Sequence, residues 1–128
     1  MQPSSSAPFV LLVEDDLELR SSISDVLTDS GYAVVCAADG YEASMKMKNQ
    51  QFNIVISDLN MPKKDGVKLA NEIVSSLSIP VLLITGELEN FQLRLNALNG
   101  VMLLPKPFKL EIIPALVAKI LKSQKAVA

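Results

Sequence analysis

The sequence predicts an α/β fold, a doubly wound sheet of five parallel strands with five flanking helices. Three observations carry that prediction. Five short apolar runs recur along the chain, rich in Val, Ile and Leu and without strict alternation, as suits parallel strands covered on both faces. An amphipathic stretch follows each run, and parallel strands need such crossovers to stay in one sheet. The chain has 128 residues, 49% of them apolar, enough for one domain with a full core.

The first run is "FVLLV" at 9–13. The helix predicted over 17–30 sets Leu19, Ile23, Val26 and Leu27 on one face, and Gly31 is a natural stop. "AVVCA" at 33–37 is the second strand, followed by a helix over 40–50 with Ala43 and Met47 four apart. "NIVIS" at 53–57 leads to a helix over 66–77 carrying Val67, Ala70, Ile73, Val74 and Leu77. "PVLLIT" at 80–85 leads to a helix over 88–98 carrying Leu88, Phe91, Leu95 and Leu98 before Gly100. "VMLL" at 101–104 precedes the last helix, 109–122, with Ile113, Leu116, Val117 and Ile120. Pro114 fits there only if that helix starts late or its first turn is irregular. The domain is predicted over 8–122, between a flexible lead at 1–7 and a frayed tail at 123–128.

Composition narrows the function. A net charge of −2 argues against a non-specific grip on nucleic acid or an anionic membrane. The single cysteine, Cys36, cannot form an internal disulfide and suggests a reducing, cytoplasmic compartment. The apolar runs are too short to span a bilayer, and "MQPSSSAP" lacks the basic and apolar regions of a secretory signal. With no histidine, imidazole metal ligands, Ser-His triads and a phosphohistidine carrier are excluded. No helix-turn-helix or basic stripe appears, so direct DNA binding is not expected.

In an open α/β sheet, ligands bind outside the carboxyl ends of the strands, at the point where strand order reverses. Strand one delivers Glu14 and Asp15 there, strand three Asp58, strand four Thr85 and strand five Lys106; strand two gives only Ala38 and Asp39. Oxygen donors of this kind suit Mg²⁺. A carboxylate can also attack phosphorus, and an ammonium, a hydroxyl and a cation could cradle the three oxygens of a phosphoryl group. The adjacent acids at 14–16 are unfavourable together until a cation sits on them. Taken singly, each residue has a plainer reading: Asp15 as a helix cap, Asp58 or Thr85 as a turn residue, Lys106 as a solvated loop lysine. Asp16 is assigned mainly to a helix cap.

In order and at matching spacing, "LLVEDD", "ISDLNMPKKDG", "LLITG" and "LPKPF" make the chain resemble, over about 8–121, the receiver domain of two-component response regulators, of the chemotaxis-regulator kind. The specific pieces are Asp58 with Pro62 and Gly66 following it, and Lys106-Pro107-Phe108 about twenty residues beyond Thr85. The resemblance implies a flavodoxin-like sheet of order 2-1-3-4-5. It implies Asp58 as phosphoacceptor, Asp15 as a direct Mg²⁺ ligand, and Glu14 holding the ion through water or assisting. The backbone carbonyl of Asn60 would be a further ligand, with Mn²⁺ able to replace Mg²⁺. Thr85 and Lys106 would each meet a phosphoryl oxygen. Gly86 would leave room for the donor, and Asn60 and Glu87 would flank the water path of the resetting hydrolysis. Lys106-Pro107 would be a cis peptide. Such a domain catalyses its own phosphorylation and dephosphorylation without being a conventional enzyme.

Two departures stand out. The switch position three before the lysine, usually Tyr or Phe, is Leu103, and "NGVMLLPK" is one residue shorter than usual. Three functional readings follow: a phosphorylation-activated switch, a constitutive interaction module with an impaired switch, and a phosphoaspartate phosphohydrolase. The last would want Asp where Asn60 stands, and room for a cap that the chain lacks. For the switch, the partners implied are a histidine kinase or phosphotransfer protein and a protein target or output domain. Leu93, Met102 and Leu103 would either lend the fourth-helix, fifth-strand, fifth-helix face to a target or a homodimer, or serve simply as core, since both sheet faces are covered.

Overall fold

The computed structural model describes residues 7–58, 73, 79–86 and 101–127. Five parallel strands form one sheet in the order β2-β1-β3-β4-β5: β1 (Phe9–Val13), β2 (Ala33–Ala37), β3 (Ile54–Asp58), β4 (Val81–Thr85) and β5 (Val101–Pro105). Three helices lie among the described residues: α1 (Leu17–Asp29), α2 (Gly40–Asn49) and α3 (Ile112–Val127), the last of the five predicted. The predicted helices over 66–77 and 88–98 lie outside the described residues, apart from the buried, helical Ile73. So do residues 1–6 and 128.

The sheet is covered on both faces because its strands alternate between two cores. On β1, Val10 and Leu12 join Ile23 and Leu27 of α1 and Ile113, Val117 and Ile120 of α3. Leu11 and Val13 point the other way, to Ala43 of α2 and Ile73. The central strands β3 and β4 are buried at every position. This is the burial that their unbroken apolar runs predict.

Local chemistry sets the helix ends. Asp16 caps α1 by accepting the Leu19 N–H at 3.1 Å, and Asp39 caps α2 by accepting the Glu42 N–H at 2.8 Å. α1 stops at Gly31, whose φ of 97° is left-handed. There Gly31 N–H donates to the Thr28 carbonyl at 3.0 Å and Tyr32 N–H to that of Leu27 at 3.2 Å, a Schellman arrangement.

The last helix differs from prediction by several residues at both ends. The last helix begins at Ile112, not 109, after a turn in which Ile112 and Ile113 donate to Lys109 and Leu110 at 3.0 and 3.1 Å. Pro114 thus falls in the first helical turn, where a missing N–H costs nothing. The helix also continues to Val127, past the edge predicted at 122, because "KSQKAV" is made largely of good helix formers and holds neither Gly nor Pro. No helix among the described residues is long and apolar enough to cross a membrane.

Candidate functional site

Strand order reverses between β1 and β3, and the residues at their carboxyl ends share the crevice this creates. Glu14 leaves β1 with its main chain held on both sides. Its N–H donates to the Ala37 carbonyl at 3.0 Å, and its own carbonyl accepts from Arg20 Nη1 at 2.8 Å. The side chain is buried, 2% exposed, and Oε2 accepts the Asp16 N–H at 3.0 Å. Oε1 is buried without a hydrogen-bond partner among the described residues.

Asp15 is exposed, and Asp58 closes β3 at 7% exposure. Glu14, Asp15 and Asp58 each place a carboxylate oxygen within 4.8 Å of the others. Burial is the first cause that pushes the Glu14 carboxyl up to about 7; the Asp58 charge and the neighbouring Asp15 carboxyl add to it, while the Asp16 N–H and Lys106 oppose. Three crowded acids with one orphaned buried oxygen fit a hard divalent cation, which needs oxygen donors and cancels their repulsion. Asn60 lies outside the described residues, as do Glu87 and Leu93.

The cationic side is Lys106, whose Nζ lies 3.2 Å from Asp58 Oδ2. Its backbone N–H donates to the Thr85 carbonyl at 2.8 Å, tying the end of β5 to the end of β4. The Lys106-Pro107 peptide is cis. Thr85 is fully buried at the last position of β4, one residue beyond Ile84, which stands opposite Asp58 in the sheet register. Gly86 follows and is exposed, and a Cβ there would meet nothing within 4 Å among the described residues. Leu103 is half-buried and packs on the core that contains Leu11, Val13 and Leu83, so it serves as a sheet side chain here. Met102 is likewise half-buried, against the opposite core.

The structure therefore gathers Glu14, Asp15, Asp58 and Lys106 at one sheet edge, with Thr85 on the adjacent strand end. A carboxylate flanked by an ammonium and by a cation-binding pair can attack an electrophile whose developing negative charge both sides neutralise. Sequence reasoning missed Arg20. Its only signal was a basic residue six positions beyond Glu14 on the first turns of α1.

A family model described as the response regulator receiver domain matches residues 10–118. Transcriptional regulatory protein CrdR of Helicobacter pylori is 34% identical over 110 residues, covering 83% of this chain and 51% of that protein. The chain spans about half, or less, of the length of the curated relatives it matches. The chemotaxis response regulator CheY4 of Vibrio cholerae superposes with a TM-score of 0.81 at 32% identity, over 90% of this chain and 99% of that one. A CheY-like receiver domain protein from Methanospirillum hungatei superposes with a TM-score of 0.87 at 27% identity, over 96% and 100%.

Proposed function

This chain belongs to the response regulator receiver domain family, and from that premise we propose that it is a phosphorylation-activated signalling switch whose acceptor is Asp58. The Lys106–Asp58 ion pair beside the three-carboxylate cluster carries the proposal.

In the transfer, a carboxylate oxygen of Asp58 forms a bond to phosphorus as the bond to the donor's nitrogen or oxygen breaks, and the donor leaves with that electron pair. Lys106 is already at Asp58 Oδ2 and meets a phosphoryl oxygen; the Thr85 hydroxyl donates to another. Glu14, Asp15, Asp58 and the backbone carbonyl of Asn60 would hold Mg²⁺ or Mn²⁺. The ion, when bound, supplies neutralisation of phosphoryl charge. Gly86, exposed and without a side chain, would leave room for the donor. Hydrolysis resets the switch, and by the family resemblance Asn60 and Glu87 would tune its rate.

The phosphorylated carboxyl draws Thr85 and Lys106 inward, and β5 with its neighbouring helices relays the change to a partner. Leu103 has no ring to swing, so the relay runs through the backbone tie between Lys106 and Thr85. The donor is a histidine kinase or phosphotransfer protein in the cytoplasm. The output is a protein target or output domain, or a homodimer through the same face; the name and greater length of CrdR support an output carried outside this domain.

Incubation with Mg²⁺ and acetyl phosphate is expected to add the mass of one phosphoryl group. A folded Asp58→Asn variant is expected to stay unmodified. Equal modification of that variant would overturn the assignment.

A further inference from the structure

We propose that Arg20 is a positioning residue for the divalent-cation site: its guanidinium fixes the main chain of Glu14 so that Oε1 is presented to the ion. The inference rests on the switch reading above and adds a residue to it.

Three hydrogen bonds from three different places immobilise Glu14. The Ala37 carbonyl at the end of β2 takes its N–H, the Asp16 N–H at the cap of α1 holds Oε2, and Arg20 holds its carbonyl oxygen at 2.8 Å. With all three made, Oε1 is the only polar atom of the residue without a hydrogen-bond partner among the described residues; it is buried, and the carboxylate that carries it clusters with those of Asp15 and Asp58. The bonds from Ala37 and Asp16 use main-chain atoms, which almost any residue there would supply. The third depends on the side chain at position 20.

The platform suits the task. Arg20 N–H donates to the Asp16 carbonyl at 2.9 Å, so the residue closes the first turn of α1, and helical side chains lean towards the N-terminus. Ile23 and Leu27, each fully buried, anchor the helix to the sheet. The guanidinium reaches back from a fixed support to the one turn that carries Glu14, Asp15 and Asp16. Groups that orient a metal ligand in this way typically change affinity 10–100-fold when removed.

Isothermal titration of the full chain with Mg²⁺ tests the proposal on the parent, Arg20→Met and Arg20→Lys, together with thermal melting in a chelator. Arg20→Met is expected to bind Mg²⁺ roughly ten-fold more weakly, at the low end of that range. Arg20→Lys, which restores a donor, is expected to recover most of the loss. Melting without Mg²⁺ is expected to stay near that of the parent in both. The difference is also expected to persist at high ionic strength, where a through-space charge effect would be screened. Equal Mg²⁺ affinity in the parent and both variants overturns the role of Arg20 alone. So does a loss that merely tracks a lower melting temperature. A parent that takes up no Mg²⁺ overturns the switch reading itself.

Discussion

At Glu14, burial, the Asp58 charge and the neighbouring Asp15 carboxyl act in one direction, and the Asp16 N–H with Lys106 does not offset them, so the carboxyl rises from an ordinary 4.5 to about 7. A carboxyl raised on folding holds its proton where the unfolded chain has lost it. The contribution of this group to metal-free stability is therefore full below pH 4.5 and is lost as the pH rises to about 7, with a limiting slope near 1.4 kcal/mol per pH unit. Glu14→Gln is expected to flatten that slope and to raise metal-free stability at pH 7, while weakening Mg²⁺ binding. Denaturant titrations in a chelator at several pH values measure it, and an unchanged slope would show that the penalty lies elsewhere. Mg²⁺ needs the ionised carboxylate, so its affinity is expected to fall as the pH drops below about 7. At this scale the acids and Lys106 were legible, because strand ends announce themselves by an apolar run breaking into charge. Arg20 was not, because it acts on a backbone carbonyl, which leaves no pattern in the sequence.

Elements were legible where their ends carry chemistry. Asp16, Asp39 and Gly31 mark caps, and α1 and α2 fall within a residue of prediction. The last helix was harder. Pro114 contradicted an early start without saying how late the true one was, and no glycine marked its end. Strand β3 also runs one residue further than predicted, so that Asp58 is part of the ladder, opposite Ile84, and not a residue hanging beyond it. That placement gives the carboxylate a rigid base. Gly31→Ala is expected to cost about 1–2 kcal/mol in a denaturant titration, because its φ of 97° is left-handed even though a Cβ there would meet nothing within 4 Å. An unchanged midpoint would mean that the turn relaxes freely. Since Gly31 is remote from the acidic crevice, phosphoryl uptake by that variant should match the parent.

For the whole molecule, two apolar faces per strand enforced the doubly wound sheet, and its order carried the acids of β1 to the acid of β3. Residues 59–72, 74–78 and 87–100 fall outside the described residues, and the site is described from its strand ends. Those ends bring the Asp58 carboxylate, the Lys106 ammonium and the carboxylates of Glu14 and Asp15 together, as the proposed switch requires. The most direct measurement is to trap the product. After Mg²⁺ and acetyl phosphate, borohydride reduces an acyl phosphate to a primary alcohol and frees phosphate, and peptide mass mapping then locates the change. The expected result is homoserine in place of Asp58, dependent on Mg²⁺. Reduction at another carboxyl, or none in a folded sample that binds Mg²⁺, would contradict Asp58 as the acceptor.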